Sequence, residues 1–166
     1  KLKSMRVNKK KDYVIFVWKT KRTPKYDNKK MMDVDPKNNF ILKPAKFYTI
    51  EIKILDFFKL LKTKPDENFT NADIEEVINT ANIQLWSSVP AFQFQGMNYN
   101  MTLFDASIYP ENRPPKVWND LVSQYGKTHN EYQLLDKHSA GLINSIKFYI
   151  PQMRMMLKKY LGLTKK

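Results

Sequence analysis

Phe47-Tyr48-Thr49-Ile50-Glu51-Ile52-Lys53-Ile54-Leu55 alternates along its whole length. Tyr48, Ile50, Ile52 and Ile54 fall on one side and Glu51 and Lys53 on the other, the period-2 pattern of a strand with one buried face. A second strand is predicted over Asp12 to Lys19 (DYVIFVWK), where β-branched and aromatic residues dominate. Between them, residues 20–46 contain Pro24, Pro36, Pro44 and many lysines, and a long irregular loop is expected. Residues 1–11 (KLKSMRVNKKK) show no apolar period and read as a basic arm.

Downstream, Asp56 to Lys64 suits a short helix ending at the turn Pro65-Asp66. Thr70 with Asp73 three residues later has the form of a capping box. The helix it starts, residues 71–81, presents Ile74, Val77, Ile78 and Ala81 on one side. Ile83 to Trp86 reads as a strand. Phe92 to Thr102 (FQFQGMNYNMT) alternates again, with Gly96 marking a bulge or turn, so a hairpin is expected there. Residues 105–116, with three prolines, read as a loop, residues 117–125 as a short helix, and 126–133 as a polar connection. Leu142, Ile146, Tyr149, Ile150, Met153, Leu157 and Tyr160 repeat at the helical period, predicting a long C-terminal helix that Pro151 kinks or divides. The expected class is α+β, a small antiparallel sheet with a long C-terminal helix, in one domain or one domain with an arm.

Charge divides the chain. Residues 1–64 carry 19 of the 29 Lys and Arg but 6 of the 16 Asp and Glu, so the whole excess of +13 lies there. On this basis residues 1–64 form a basic, strand-rich N-terminal part and residues 65–166 a neutral α+β part. The excess favours an acidic partner, either nucleic acid or an acidic protein surface, with Lys9, Lys10, Lys11, Lys19, Lys21, Arg22, Lys29 and Lys30 as the contact set. The plainer alternative is a solvated face in a Lys- and Asn-rich chain. The absence of cysteine excludes disulfides, thiolate zinc sites and cysteine nucleophiles. No apolar run is long enough for a membrane-spanning helix, and no signal peptide is visible. A start at Lys1 is the pattern of a fragment or processed product.

Few residues suggest catalysis. Glu51-x-Lys53 with Asp33 or Asp35 upstream has the arrangement of a Mg²⁺-dependent nuclease, in which carboxylates hold the metal and Lys balances charge at the phosphate. Ordinary strand alternation gives the same Glu-x-Lys pair. His129 and His138 have no nucleophile or carboxylate partner by spacing. Aromatic residues in the basic half (Tyr13, Phe16, Trp18, Tyr26, Phe40, Phe47, Tyr48) could stack on bases, although in strands core packing is their default role. On the last helix Met155 and Met156 are the candidate protein-binding residues.

The run Trp86-Ser87-Ser88-Val89-Pro90-Ala91-Phe92-Gln93-Phe94-Gln95-Gly96-Met97-Asn98-Tyr99-Asn100-Met101-Thr102, followed by Asp136-Lys137-His138, resembles SWIM-like zinc modules of large phages and other viruses. Their pattern is Cys-x-Cys, a long insert, then Cys-x-His. The ligand positions fall on Ser87, Val89, Asp136 and His138, three of which have lost zinc-ligand chemistry, so no metal or other cofactor is expected. Pro90, Phe92, Phe94, Gly96, Tyr99, Thr102, Lys137 and His138 keep the scaffold. The resemblance implies a ββα core held by apolar packing, with Trp86, Phe92, Phe94, Tyr99, Phe104 and Trp118 replacing the metal. It further implies a non-enzymatic phage virion protein, at a portal, connector or tail position or packaged as cargo. Such a protein would bind other virion subunits, and DNA through its basic part, without a membrane. The alternatives are a DNA- or RNA-binding protein of the infected cell and, third, the nuclease centred on Glu51 and Lys53.

Overall fold

A computed structural model describes residues 1–21, 32–34, 42–44, 47–62, 68–89, 92, 97–110 and 134–163. Its centre is an antiparallel pair, β2 (Tyr13–Lys21) and β5 (Phe47–Leu55), nine residues each and in register from Tyr13↔Leu55 to Lys21↔Phe47. β1 (Leu2–Asn8) flanks β2 and β6 (Ile83–Ser87) flanks β5, giving a four-stranded antiparallel sheet of order β1-β2-β5-β6. Both expected strands form, and the class is α+β as read from the sequence. β6 lies beyond residue 64 yet pairs with β5, so both charge-defined parts contribute to one sheet.

Two segments expected to be irregular are not. The basic arm 1–11 is largely strand β1, and its last residues form the turn into β2. The register jumps from Leu2↔Trp18 to Ser4↔Val17, so Lys3 is an extra residue. That bulge returns Leu2 to the face of Met5 and Val7, opposite Trp18, Phe16 and Val14, and it breaks the alternation a reader looks for. Within the expected loop 20–46, Met32–Val34 (β3) and Leu42–Pro44 (β4) pair as a short antiparallel ribbon. Three-residue strands are too short for a period to show.

One sheet face carries Val14, Phe16, Trp18, Ile50, Ile52, Ile54 and Leu85, all buried. Helix α1 (Phe57–Leu60), α2 (Asn71–Thr80) and the C-terminal helices supply the opposing layer, including Phe57, Ile74, Val77, Ile150, Met153 and Leu157. Thr70 and Asp73 form the expected capping box at the start of α2. The long helix is divided. α4 (Lys137–Asn144) and a 3₁₀ turn (Ile146–Tyr149) precede α5 (Ile150–Tyr160), in which Pro151 takes a first-turn position where its missing N–H costs no hydrogen bond. Tyr149 packs edge-on against Trp18, with ring centroids 5.8 Å apart. Trp18 Nε1 is buried without a hydrogen-bond partner among the described residues.

The expected hairpin over 92–102 is corrected: Met97–Leu103 is a helix, α3. Met97 and Met101, one helical turn apart, both face the core, a pairing that period-2 alternation mimics over a short window. Phe92 and Trp86 are buried as expected. Phe104, assigned to the core, is 71% exposed. Phe94, Gly96, Trp118 and the helix expected over 117–125 lie outside the described residues.

Asp12, Asp56 and Asp105 have positive φ, a backbone region that Asp tolerates better than most residues. Asp12 closes the β1–β2 turn, and its carboxylate accepts from Phe58 N (2.7 Å) and Lys59 N (3.0 Å), fastening the turn to the start of α1. Asp12→Ala loses both bonds and keeps the left-handed backbone without the polar side chain that offsets its strain, a cost of about 2–3 kcal/mol in urea unfolding. Asp12→Gly loses the bonds without the steric penalty and should cost about 1 kcal/mol less.

Candidate functional site: the polar face of the sheet and the basic β1–β2 turn

The opposite sheet face carries Arg6, Ile15, Val17, Glu51, Lys53, Gln84 and Trp86, the outward set of the same alternation. It is partly covered by the chain that leaves α3. Ala106 and Ile108 bond to Leu85 across the open edge of β6 (Leu85 N to Ala106 O, 2.8 Å; Ile108 N to Leu85 O, 3.2 Å). Tyr109 then lies edge-on to Trp86 at 5.5 Å. Its position is set from below: buried Asn98 donates to Tyr109 O at 3.0 Å, and buried Ser107 donates both to Asn98 Oδ1 and to Tyr109 O.

Here Glu51 and Lys53 find their partners. Glu51 is buried, and its Oε2 accepts from the Arg6 guanidinium and from the Tyr109 hydroxyl (3.0 Å). Burial alone would lower the pKa of Arg6, but the charge of Glu51 and the Tyr109 hydroxyl outweigh it and raise it. Burial, and then the Glu51 charge, push the Tyr109 phenol up, with Arg6 opposing. Lys53 donates to Gln84 Oε1 (2.8 Å) and lies 4.6 Å from the Tyr13 ring centroid; Gln84 is held in turn by the Asp105 carbonyl at 3.1 Å. The Glu51 carboxylate is therefore committed to an ion pair. Among the described residues no three His, Asp or Glu side chains gather as metal ligands. Asp33 lies on β3, and Asp35 is outside the described residues. Arg6, Gln84 and Tyr109, missed in the sequence, complete the cluster. Arg6 was hidden by reading its strand as an arm, and Tyr109 by its place in a presumed loop.

The described members of the basic set lie at the two ends of β2. Lys9, Lys10 and Lys11 are exposed in the β1–β2 turn, whereas Lys19 and Lys21 sit at the other end of β2, roughly 25 Å away at a strand's rise per residue. Lys19 is half-buried and donates to Thr49 Oγ1, while Lys21 is exposed. Arg22, Lys29 and Lys30 lie outside the described residues. The turn meets the C-terminal end of α5: Lys9 Nζ lies 5.8 Å from the Tyr160 ring centroid, and the last turn of α5 carries Lys159, exposed, and Lys158, whose ammonium donates to Asn68 Oδ1 at 2.6 Å. Cations at a helix C-terminus also oppose its partial negative charge.

On α5 Met155 is 67% exposed, whereas Met156 is half-buried and packs against the core. Phe148, two residues ahead of α5, is 85% exposed. Its mismatch with the apolar helical phase was the signal available in the sequence. Of the other aromatics in the basic half, Phe16 and Trp18 are core, Phe47 is 41% exposed, and Tyr26 and Phe40 lie outside the described residues.

The four positions on which the zinc-module pattern falls are each engaged in local structure. Ser87 Oγ accepts from Val89 N (3.3 Å), and Val89 is packed in the core. Asp136 caps α4, accepting from His138 N, Ser139 N and Ser139 Oγ at 2.6–3.1 Å. His138 packs on Tyr48 with centroids 5.3 Å apart, and the adjacent Thr49 exchanges hydrogen bonds with Ser88. Both pairs thus abut the Tyr48–Thr49 end of β5. No helix among the described residues is long and apolar enough to cross a membrane. No known family model, curated protein or solved structure matches the chain.

Burial lowers the pKa of His138, against the smaller opposing pull of Asp136. The unfolded chain therefore takes up a proton first as pH falls below its ordinary 6.5, and this contribution to stability, complete above 6.5, is lost towards acid. Thermal melts of His138→Gln should fall less than wild type between pH 7.5 and about 5.5. Parallel curves would mean that another group carries the acid sensitivity.

Proposed function

We propose that this chain is a non-enzymatic interaction module that holds nucleic acid at its basic β1–β2 turn and neighbouring protein subunits at its exposed apolar helix residues. The setting implied by its resemblance to SWIM-like viral proteins is a phage virion. One observation carries the reading: three consecutive lysines, Lys9, Lys10 and Lys11, are exposed together in the β1–β2 turn, which rests on Tyr160 next to the exposed Lys159 of α5. Such a concentration of one sign attracts a polyanion over distances longer than a single contact. Phe148 and Met155 supply apolar area of the kind protein partners cover. No cofactor enters this reading, and DNA is the acidic partner expected in a particle.

Fluorescence anisotropy with a 20-nucleotide single-stranded DNA tests it. Four phosphate contacts at about 0.7 per phosphate give a log–log slope near −3, a loss of about 50-fold between roughly 50 and 200 mM salt. Replacing Lys9, Lys10 and Lys11 together by Gln should make that slope shallower by about 2. Binding that ignores salt, or no binding, overturns the nucleic-acid assignment. Mass spectrometry of purified particles that lack the chain overturns the virion setting.

A further inference from the structure

Beside the basic turn, the polar face opens into a cleft of ≈ 390 Å³, within the ~300–1,000 Å³ range of small-molecule sites. Two cations line it, Arg6 from β1 and Lys53 from β5, with Ile15 of β2 between them in the sheet. Asn8, Tyr13 and Tyr109 supply polar groups around them, and Val7 and Ile108 add apolar wall.

One of the two cations has no balancing carboxylate among the described residues. Lys53 is held by an amide oxygen and an aromatic ring and forms no ion pair with a carboxylate among the described residues. The guanidinium of Arg6 engages Glu51 and Tyr109 through Nη2 alone, and its side chain remains half exposed. Glu51 does not line the cleft. Two cations are thus pre-positioned, one by neutral partners and one by a single edge. A dianionic phosphate placed between them would find charge-assisted donors on both sides without any rearrangement of the ion pair. The apolar wall and the tyrosines suit a flat, partly apolar group attached to that anion. Asn8 and Tyr13 are also the residues that bracket the Lys9–Lys11 turn, so the cleft opens at the base of the basic hairpin.

We infer that this cleft binds a nucleoside phosphate, held by Arg6 and Lys53 at the phosphate and by the Tyr13–Tyr109 side at the base or sugar. The same chemistry has two sources, a free mononucleotide or one unit of a single strand whose flanking phosphates lie on the Lys9–Lys11 turn. The strand source rests on the function proposed above; the mononucleotide source does not.

Calorimetric titration with adenosine 5′-monophosphate and anisotropy with the 20-nucleotide strand, at low salt, separate the cases. Lys53→Gln should weaken binding about tenfold, the loss of one charge-assisted contact, and Lys53→Arg should restore most of it. In the unmodified protein, amide shifts on nucleotide addition should centre on Asn8, Tyr13 and Tyr109, a readout independent of any variant's folding. Saturable mononucleotide binding with this sensitivity supports the free-ligand source. Sensitivity seen with the strand alone supports the strand source. Strand binding that depends on Lys9, Lys10 and Lys11 but is unmoved by Lys53→Gln overturns the cleft assignment and leaves the basic-turn reading standing. Binding of neither ligand overturns both.

Discussion

The nine-residue ladder between β2 and β5 constrains everything else. Val14 to Trp18 are buried without interruption, so β2 is covered on both faces. A strand in that position needs an apolar layer on one side and a fitted cover on the other. The helices meet the first need by packing on Phe16, Trp18, Ile50 and Ile52. The second falls to the far face, where Glu51 and Lys53 are fixed by the same alternation that sends their neighbours inward. A one-residue slip would bury both charges among the helices and expose four isoleucine and aromatic positions. The register is thus held by the cost of its alternatives as well as by its own contacts.

That ladder was legible because both strands are long and strongly patterned. The capping box at Thr70, the apolar side of α2 and the divided C-terminal helix were legible for similar local reasons. The failures have local causes too. Strand β1 lost its period to one extra residue at Lys3, and without that strand Arg6 could not be placed beside Glu51. α3 alternates over a window too short to separate a strand from a helix. The Tyr109 contact depends on a buried Asn98–Ser107 pair that joins a helix to the following segment, and no spacing rule encodes such a pair.

The residues on which the zinc-module pattern falls have local structural roles. Asp136 explains itself as an N-cap with three hydrogen bonds, and His138 as a ring packed on Tyr48. Ser87 and Val89 close a turn at the end of β6. Each residue has a sufficient structural role without a metal. Both pairs abut Tyr48 and Thr49, and so join the second half of the chain to the end of β5.

The proposed ligand sites share a support that a count of charges along the chain does not reveal. Lys9 to Lys11 lie between Asn8 and Tyr13, so the basic turn and one wall of the cleft share the β1–β2 hairpin. Asp12, in the same turn, is fastened to the first residues of α1, and Lys9 leans on Tyr160 at the end of α5. A lysine-rich turn on an unsupported hairpin would have to be ordered at each encounter, and that entropy would be subtracted from its affinity. Here the ordering is done during folding, by contacts with two helices that already close the core. The lysines of the N-terminal part are held in place by contacts that reach as far as the end of the chain's last helix.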